Sequence, residues 1–204
     1  MQRRQTLIVA CILICATTYG RPPVSSPLAK FSSAWNAPKY TAANTAKNLS
    51  YLSSQEKELI YLLNLVRMDP ALFAQTVLPK QPVNEQSTYY QSLLKHLKEM
   101  KPQPLLLPDS LCWVSAKCHA VSSGLQGYDG HDRITEECRK KEYFMGECCH
   151  YGYGNPLDFL VSLLIDEGIP SLGHRRICLG GFQKIGVSIQ PHSVYGNNAV
   201  LDFY

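Results

Sequence analysis

The chain has 204 residues, 45% of them hydrophobic, and a formal charge of +4. Arg3 and Arg4 supply two of those charges ahead of an apolar run, leaving about +2 with acids and bases interspersed, which excludes the basic stripe of a nucleic-acid-binding protein. There is no internal repeat, and no later segment is apolar for long enough to span a bilayer.

Residues 1–20 read as a secretory signal peptide. Arg3 and Arg4 form its basic start, Thr6 to Ala16 its short apolar core, and Thr18 and Gly20 offer small residues for cleavage before Arg21. The expected location is secreted, extracellular or periplasmic. A second arrangement, a lipoprotein anchored at Cys11, is given by Ile8-Val9-Ala10-Cys11. Export also changes how the cysteines are read. Cys11 and Cys15 leave with the signal, while Cys112, Cys118, Cys138, Cys148, Cys149 and Cys178 form an even set that suggests disulfides. Cys112 and Cys118 stand roughly 240° apart around a helix, so they do not pair with each other. Cys148 and Cys149 face opposite ways on an extended segment and need separate partners. No C-x-x-C pair supports a cysteine zinc cluster.

Residues 21–51 are rich in Pro, Ser, Thr and Asn and read as a linker or loosely docked arm, with a glycosylation sequon at Asn48-Leu49-Ser50. The folded domain spans 52–204. Ser53 and Glu56 form a capping box ahead of a helix carrying Leu59, Ile60, Leu62, Leu63 and Val66. Asp69-Pro70 ends that helix and opens a short one to about 77. A third helix covers about 87–100. The prolines from Pro102 to Pro108 force an extended run. A fourth helix, about 110–123, is given an inner face of Leu111, Val114, Cys118 and Val121. Residues 124–141 read as a long glycine-rich loop, a length that points to function or disorder. A short buried strand follows at 143–149, then an apolar helix at about 156–167. The alternating runs 185–189 and 199–203 make a terminal hairpin around Tyr195–Asn198. Helices first and strands last give an α+β domain with a helix-covered sheet.

Among six histidines, His96 and His192 read as solvated, His119 as half-buried and structural, and His150 is not placed. His131 and His174 each follow a glycine in or beside a loop, where functional side chains concentrate. Glu147 lies in an apolar segment where an unpaired carboxylate is costly, and Asp166 ends an apolar helix where negative charge is mildly unfavourable. No G-x-S-x-G, H-E-x-x-H, Walker or G-x-G-x-x-G motif is present. Two imidazoles and two carboxylates can bind a divalent metal, perform acid–base chemistry, or form a polar network without chemistry.

The order His131, Gly146-Glu147, an apolar helix ending in Asp166, and Gly173-His174-Arg175 resembles the CAP superfamily of cysteine-rich secretory, antigen-5 and pathogenesis-related proteins, in its bacterial SCP-like extracellular form. Asn64-Leu65-Val66-Arg67, Ala116-Lys117-Cys118-His119 and Ile185-Gly186-Val187 match further motifs, so the resemblance covers 52–204. It implies an α-β-α sandwich with a mainly antiparallel sheet, and a cleft lined by a tetrad of His131, Glu147, Asp166 and His174. It implies a divalent cation, zinc preferred, on His131 and His174, with Glu147 and Asp166 as carboxylates that orient water. The sequence departs from the family at Cys148, where many members carry Asn, at Leu163, where Trp is usual, and at Asp166, where Glu is usual and Glu167 is the rival. Three functions are compatible with it. The first is a binding module for a lipid, a glycan or another partner. The second is a metal-dependent hydrolase of peptide or cell-envelope substrates with Glu147 as base. The third is a purely structural tetrad.

Overall fold

The computed structural model describes residues 25–204. The segment expected to be a signal peptide, with Cys11 and the expected cleavage point, lies outside them.

The fold is organised around one helix. Ser53 accepts from the Glu56 amide and Glu56 returns a bond to the Ser53 amide, so the expected capping box starts α1 (Ser54–Met68). Every residue from Leu59 to Arg67 is buried. A helix apolar on all sides needs cover on all sides, and that explains a difference from the sequence reading. The stretch expected to be a linker or loosely docked arm is packed from Ser25 onward, in short 3-10 turns, with Leu28, Trp35, Tyr40, Ala43 and Ala46 buried in the core. Asn64 fixes it there by donating to Ala43 O and Thr45 Oγ1.

Asp69 caps α2 (Pro70–Thr76), and α3 (Thr88–Glu99) follows. The Pro102–Pro108 run is extended and ends in β1 (Leu107–Pro108). Asp109 caps α4 (Ser110–Gln126), which stops at Gly127 with φ +66°. The long loop contains a short helix, α5 (Glu136–Lys141). Then come β2 (Gly146–Tyr151), α6 (Pro156–Ile165), α7 (Gly173–Cys178), β3 (Lys184–His192) and β4 (Gly196–Phe203).

The four strands form one open sheet in the order β1-β3-β4-β2, so β2 is an edge. The sheet is mixed: β3–β4 and β4–β2 are antiparallel, while β1 joins β3 in parallel. Alternation sends Ile185, Val187, Ala199, Leu201 and Cys148 into the main core with α1 and α6, and turns Cys149 and Val200 toward Ala116 and Ala120 of α4.

The packed face of α4 is not the expected one. Leu111, Val114 and Val121 are exposed, and Cys112, Ser115, Ala116, His119, Ala120 and Ser123 face the sheet. The cause is close approach: a Cβ on Gly186 would stand 2.0 Å from Trp113 N. Only small side chains fit under a helix held that near.

Among the described residues one disulfide, Cys118–Cys138, joins α4 to α5. The other four described cysteines are buried thiols, so the expectation of a partner for each is not met. Cys148 and Cys149 do face opposite ways. Cys148 Sγ lies 3.8 Å from Cys178 Sγ, and Cys149 Sγ lies 3.8 Å from His131 Nδ1.

Candidate functional site

Two short polar pairs meet at the edge strand β2. The first is built from the α4–α5 loop, which the Cys118–Cys138 bridge ties down on both sides of His131. His131 Nδ1 lies 2.8 Å from Glu147 Oε1 on β2. The second pair comes from the other side of the sheet. Asp166 ends α6 in the left-handed region at φ +58°, a conformation that Asp tolerates better than most residues. One carboxylate oxygen accepts from the amides of His174 and Arg175 at 3.0 and 3.4 Å, and the other lies 2.7 Å from His174 Nδ1. Asp166 therefore orients the His174 ring and caps α7 at once, and Glu167, the rival, is exposed and accepts from Ser87 instead. Leu172, beside this turn, is held at φ +50°, a strain of about 1–2 kcal/mol.

The connection is rigid because Arg175 is buried behind it. Its guanidinium donates to Leu164 O and Ile165 O at the end of α6, and to Tyr89 O and Ser92 Oγ of α3. Arg67 plays the same part nearby, donating to Pro104 O, Cys178 O, Gly180 O and Phe182 O. These two buried arginines come from the Asn-Leu-Val-Arg and Gly-His-Arg motifs. Most of their acceptors are carbonyl groups at the ends of elements or in the connections between them, which need a donor from elsewhere.

The structure thus brings His131, Glu147, Asp166 and His174 together. The two imidazole centroids are 6.2 Å apart. Each Nδ1 is taken by a carboxylate, which leaves Nε2 as the remaining ligand atom. The site is shallow: the His131 side chain is 58% exposed and that of His174 21%. Grooves of about 520 and 530 Å³ lie elsewhere, between α4 and α5 and between residues 81–84 and α6.

Behind His131 is a buried charge network that sequence reasoning did not single out. Arg133 Nη2 lies 2.6 Å from Glu147 Oε2, an ion pair without hydrogen-bond direction, and 3.4 Å from Asp202 Oδ2. Glu147 and Asp202 are direct cross-strand partners, and two like charges in that position repel. Burial pushes the Glu147 carboxyl up, but the bond from His131 and the adjacent Arg133 charge override it and hold it at about 2. Burial, then the charge of Glu147, raise Asp202 to about 9, so it stays protonated. The bond to Glu147 in turn raises His131, against the effect of its partial burial. Asp202 carried a signal, being a carboxylate inside the apolar run Ala199–Phe203. Arg133 carried none, since a loop has no periodicity.

The remaining histidines separate cleanly. His119 is fully buried, more deeply than expected, with Nε2 2.9 Å from Gly130 O. His192 is buried rather than solvated: its Nδ1 accepts from the Val194 and Tyr195 amides and its Nε2 meets Tyr128 O, which pins the β3–β4 turn. His150 packs on Phe159 on the opposite face. No protein-family model, curated protein or solved structure matches this chain.

Proposed function

We propose that the chain is an exported binding module of the CAP type, in which His131 and His174 hold a divalent cation, zinc preferred, for a small ligand, lipid, glycan or partner surface. The single observation that carries this reading is the pair of carboxylate-oriented imidazoles. Metal-binding histidines donate their second ring nitrogen to a carboxylate or carbonyl, which fixes tautomer and orientation, and both Nδ1 atoms are held in that way at 2.8 and 2.7 Å. A cation bonded to an imidazole nitrogen at about 2.0–2.1 Å sits roughly 3.2 Å from the ring centre, so tetrahedral ligation by both rings places their centroids roughly 5.2 Å apart; they stand 6.2 Å apart, and an approach of about 1 Å closes them on one ion. When bound, such an ion supplies a Lewis-acidic centre with positions open to ligand or water. The packing of α4 on one face of the sheet and α1, α6 and α7 on the other supports the α-β-α sandwich that the family resemblance implies.

Binding is favoured over hydrolysis by the state of Glu147. A general base needs a proton affinity near the working pH and a free oxygen. Glu147 is held at about 2, with one oxygen on His131 and the other on Arg133. A purely structural tetrad is disfavoured by the exposure of His131.

Calorimetric titration of zinc into the wild type and into His131→Ala, His174→Ala and the double variant tests the reading. The expected result is a class of saturable heats that is present in the wild type and lost from each variant, whatever other zinc heats remain. Superimposable titrations of wild type and double variant would overturn it.

A further inference from the structure

A second ligand set lies behind the exposed pair, on the α4 side of β2. A ring nitrogen of His119, Cys149 Sγ and a Glu147 carboxylate oxygen all lie within 4.8 Å of one another, and all three residues are buried. His119 is the informative member. Its Nε2 lies 2.9 Å from Gly130 O, and a carbonyl only accepts, so Nε2 carries the proton. Nδ1 is then an unprotonated lone pair, and it is buried with no hydrogen-bond partner, in a histidine with 0% exposure. An unsatisfied buried acceptor costs about 1–3 kcal/mol. A ring whose far nitrogen is held by a backbone carbonyl, with its near nitrogen bare, is the arrangement found in metal-ligating histidines.

The geometry points to a buried thiophilic cation site formed by His119 Nδ1, Cys149 Sγ and Glu147, separate from the surface pair His131–His174, and built for zinc rather than for magnesium or calcium. A thiolate and an imidazole select zinc or cobalt, whereas the hard cations take oxygen ligands. A tetrahedral zinc separates its ligand atoms by roughly 3.5 Å, so closure by about 1 Å completes the set. With Asp202 protonated, Glu147 and a Cys149 thiolate supply two negative charges and Arg133 one positive, so the set carries a net negative charge that a divalent ion offsets. On binding, the Cys149 S–H bond breaks, an S–metal bond forms and the proton passes to solvent. No oxidant is involved. His131 Nδ1, 3.8 Å from Cys149 Sγ, lies against the set, so the buried ion would stand directly beneath the exposed imidazole and brace the loop that carries it.

This inference shares Glu147 with the proposed function, and the test separates the two. The full chain, stripped with a chelator, is titrated with cobalt(II) and the near-ultraviolet thiolate-to-cobalt charge-transfer band is followed. The band is expected in the wild type and in His174→Ala. It should vanish in Cys149→Ser and require about 100-fold more cobalt in His119→Ala. Cys149→Ser, nearly isosteric, retains the fold and keeps any bandless cobalt binding at His131 and His174. A wild type without the band, or a band that persists in Cys149→Ser, would overturn the buried site. A wild type that shows the band but no further, bandless cobalt binding would instead count against the surface site.

Discussion

Asp202 gives the sharpest test of the network behind His131. It is fully buried, stands opposite Glu147, and is protonated in the folded protein with its carboxyl raised to about 9 by burial and by the Glu147 charge. In the unfolded chain it ionises near its ordinary value of 3.8. The folded state therefore holds a proton that the unfolded state releases, and the associated stability is lost as pH rises from about 3.8 to about 9. Each pH unit in that window costs about 1.4 kcal/mol, so the three units from about pH 4 to about pH 7 cost roughly 4 kcal/mol before any offset. Glu147 shares the same Arg133, which reduces the figure to the order of 2–4 kcal/mol. Asp202→Asn keeps an acceptor for Arg133, places a neutral donor beside Glu147 and removes the titration. Urea unfolding of chelator-treated wild type and variant, at about pH 5 and about pH 8, measures the effect. The variant should match the wild type at the lower pH and exceed it by about 2 kcal/mol or more at the higher one. An Asp202→Asn protein destabilised by 2 kcal/mol or more at about pH 8 would mean that Asp202 is an ionised partner of Arg133, and the reasoning would fail.

Three other outcomes follow from the same contacts. Histidine NMR titration should place His131 above its ordinary range, and Glu147→Gln should lower it, because the bond to Glu147 is the main cause of the elevation. An unchanged His131 in that variant would remove the pairing from consideration. Arg175→Met strands Leu164 O and Ile165 O without a donor and should cost about 3–5 kcal/mol in chemical unfolding, as breaking a buried network does; a loss under about 1 kcal/mol would mean that water replaces the guanidinium. Gly186→Ala drives a methyl into the α4 backbone at Trp113 and Cys112. It should lower stability by about 3 kcal/mol or more, since neither backbone can yield without moving the whole helix.

Much of the framework was legible in the sequence. The capping box at Ser53–Glu56, the Asp69-Pro70 break, the prolines before β1 and the alternation of β3 and β4 are local signals that tertiary structure had no reason to overrule. The α4 face was misread because size is not burial. A helix lying close on a sheet turns its small residues inward, so Leu111, Val114 and Val121 were left outside. The arm at 25–51 was misread because its apolar residues keep no period, although the all-apolar face of α1 already required a cover. At the site, glycine-flanked His131 and His174 were singled out from loop chemistry. Arg133, Cys149 and the deep burial of His119 depend on how the α4–α5 loop folds over β2, and no spacing in the sequence encodes that.

The central claim is that one divalent cation bridges His131 and His174. An anomalous difference map at the zinc absorption edge, from crystals grown with zinc, tests it most directly. The expected result is a peak between the two imidazole rings, with Glu147 and Asp166 still on the Nδ1 atoms. A map with no peak between His131 and His174, whether or not zinc is found deeper at Cys149, would contradict it.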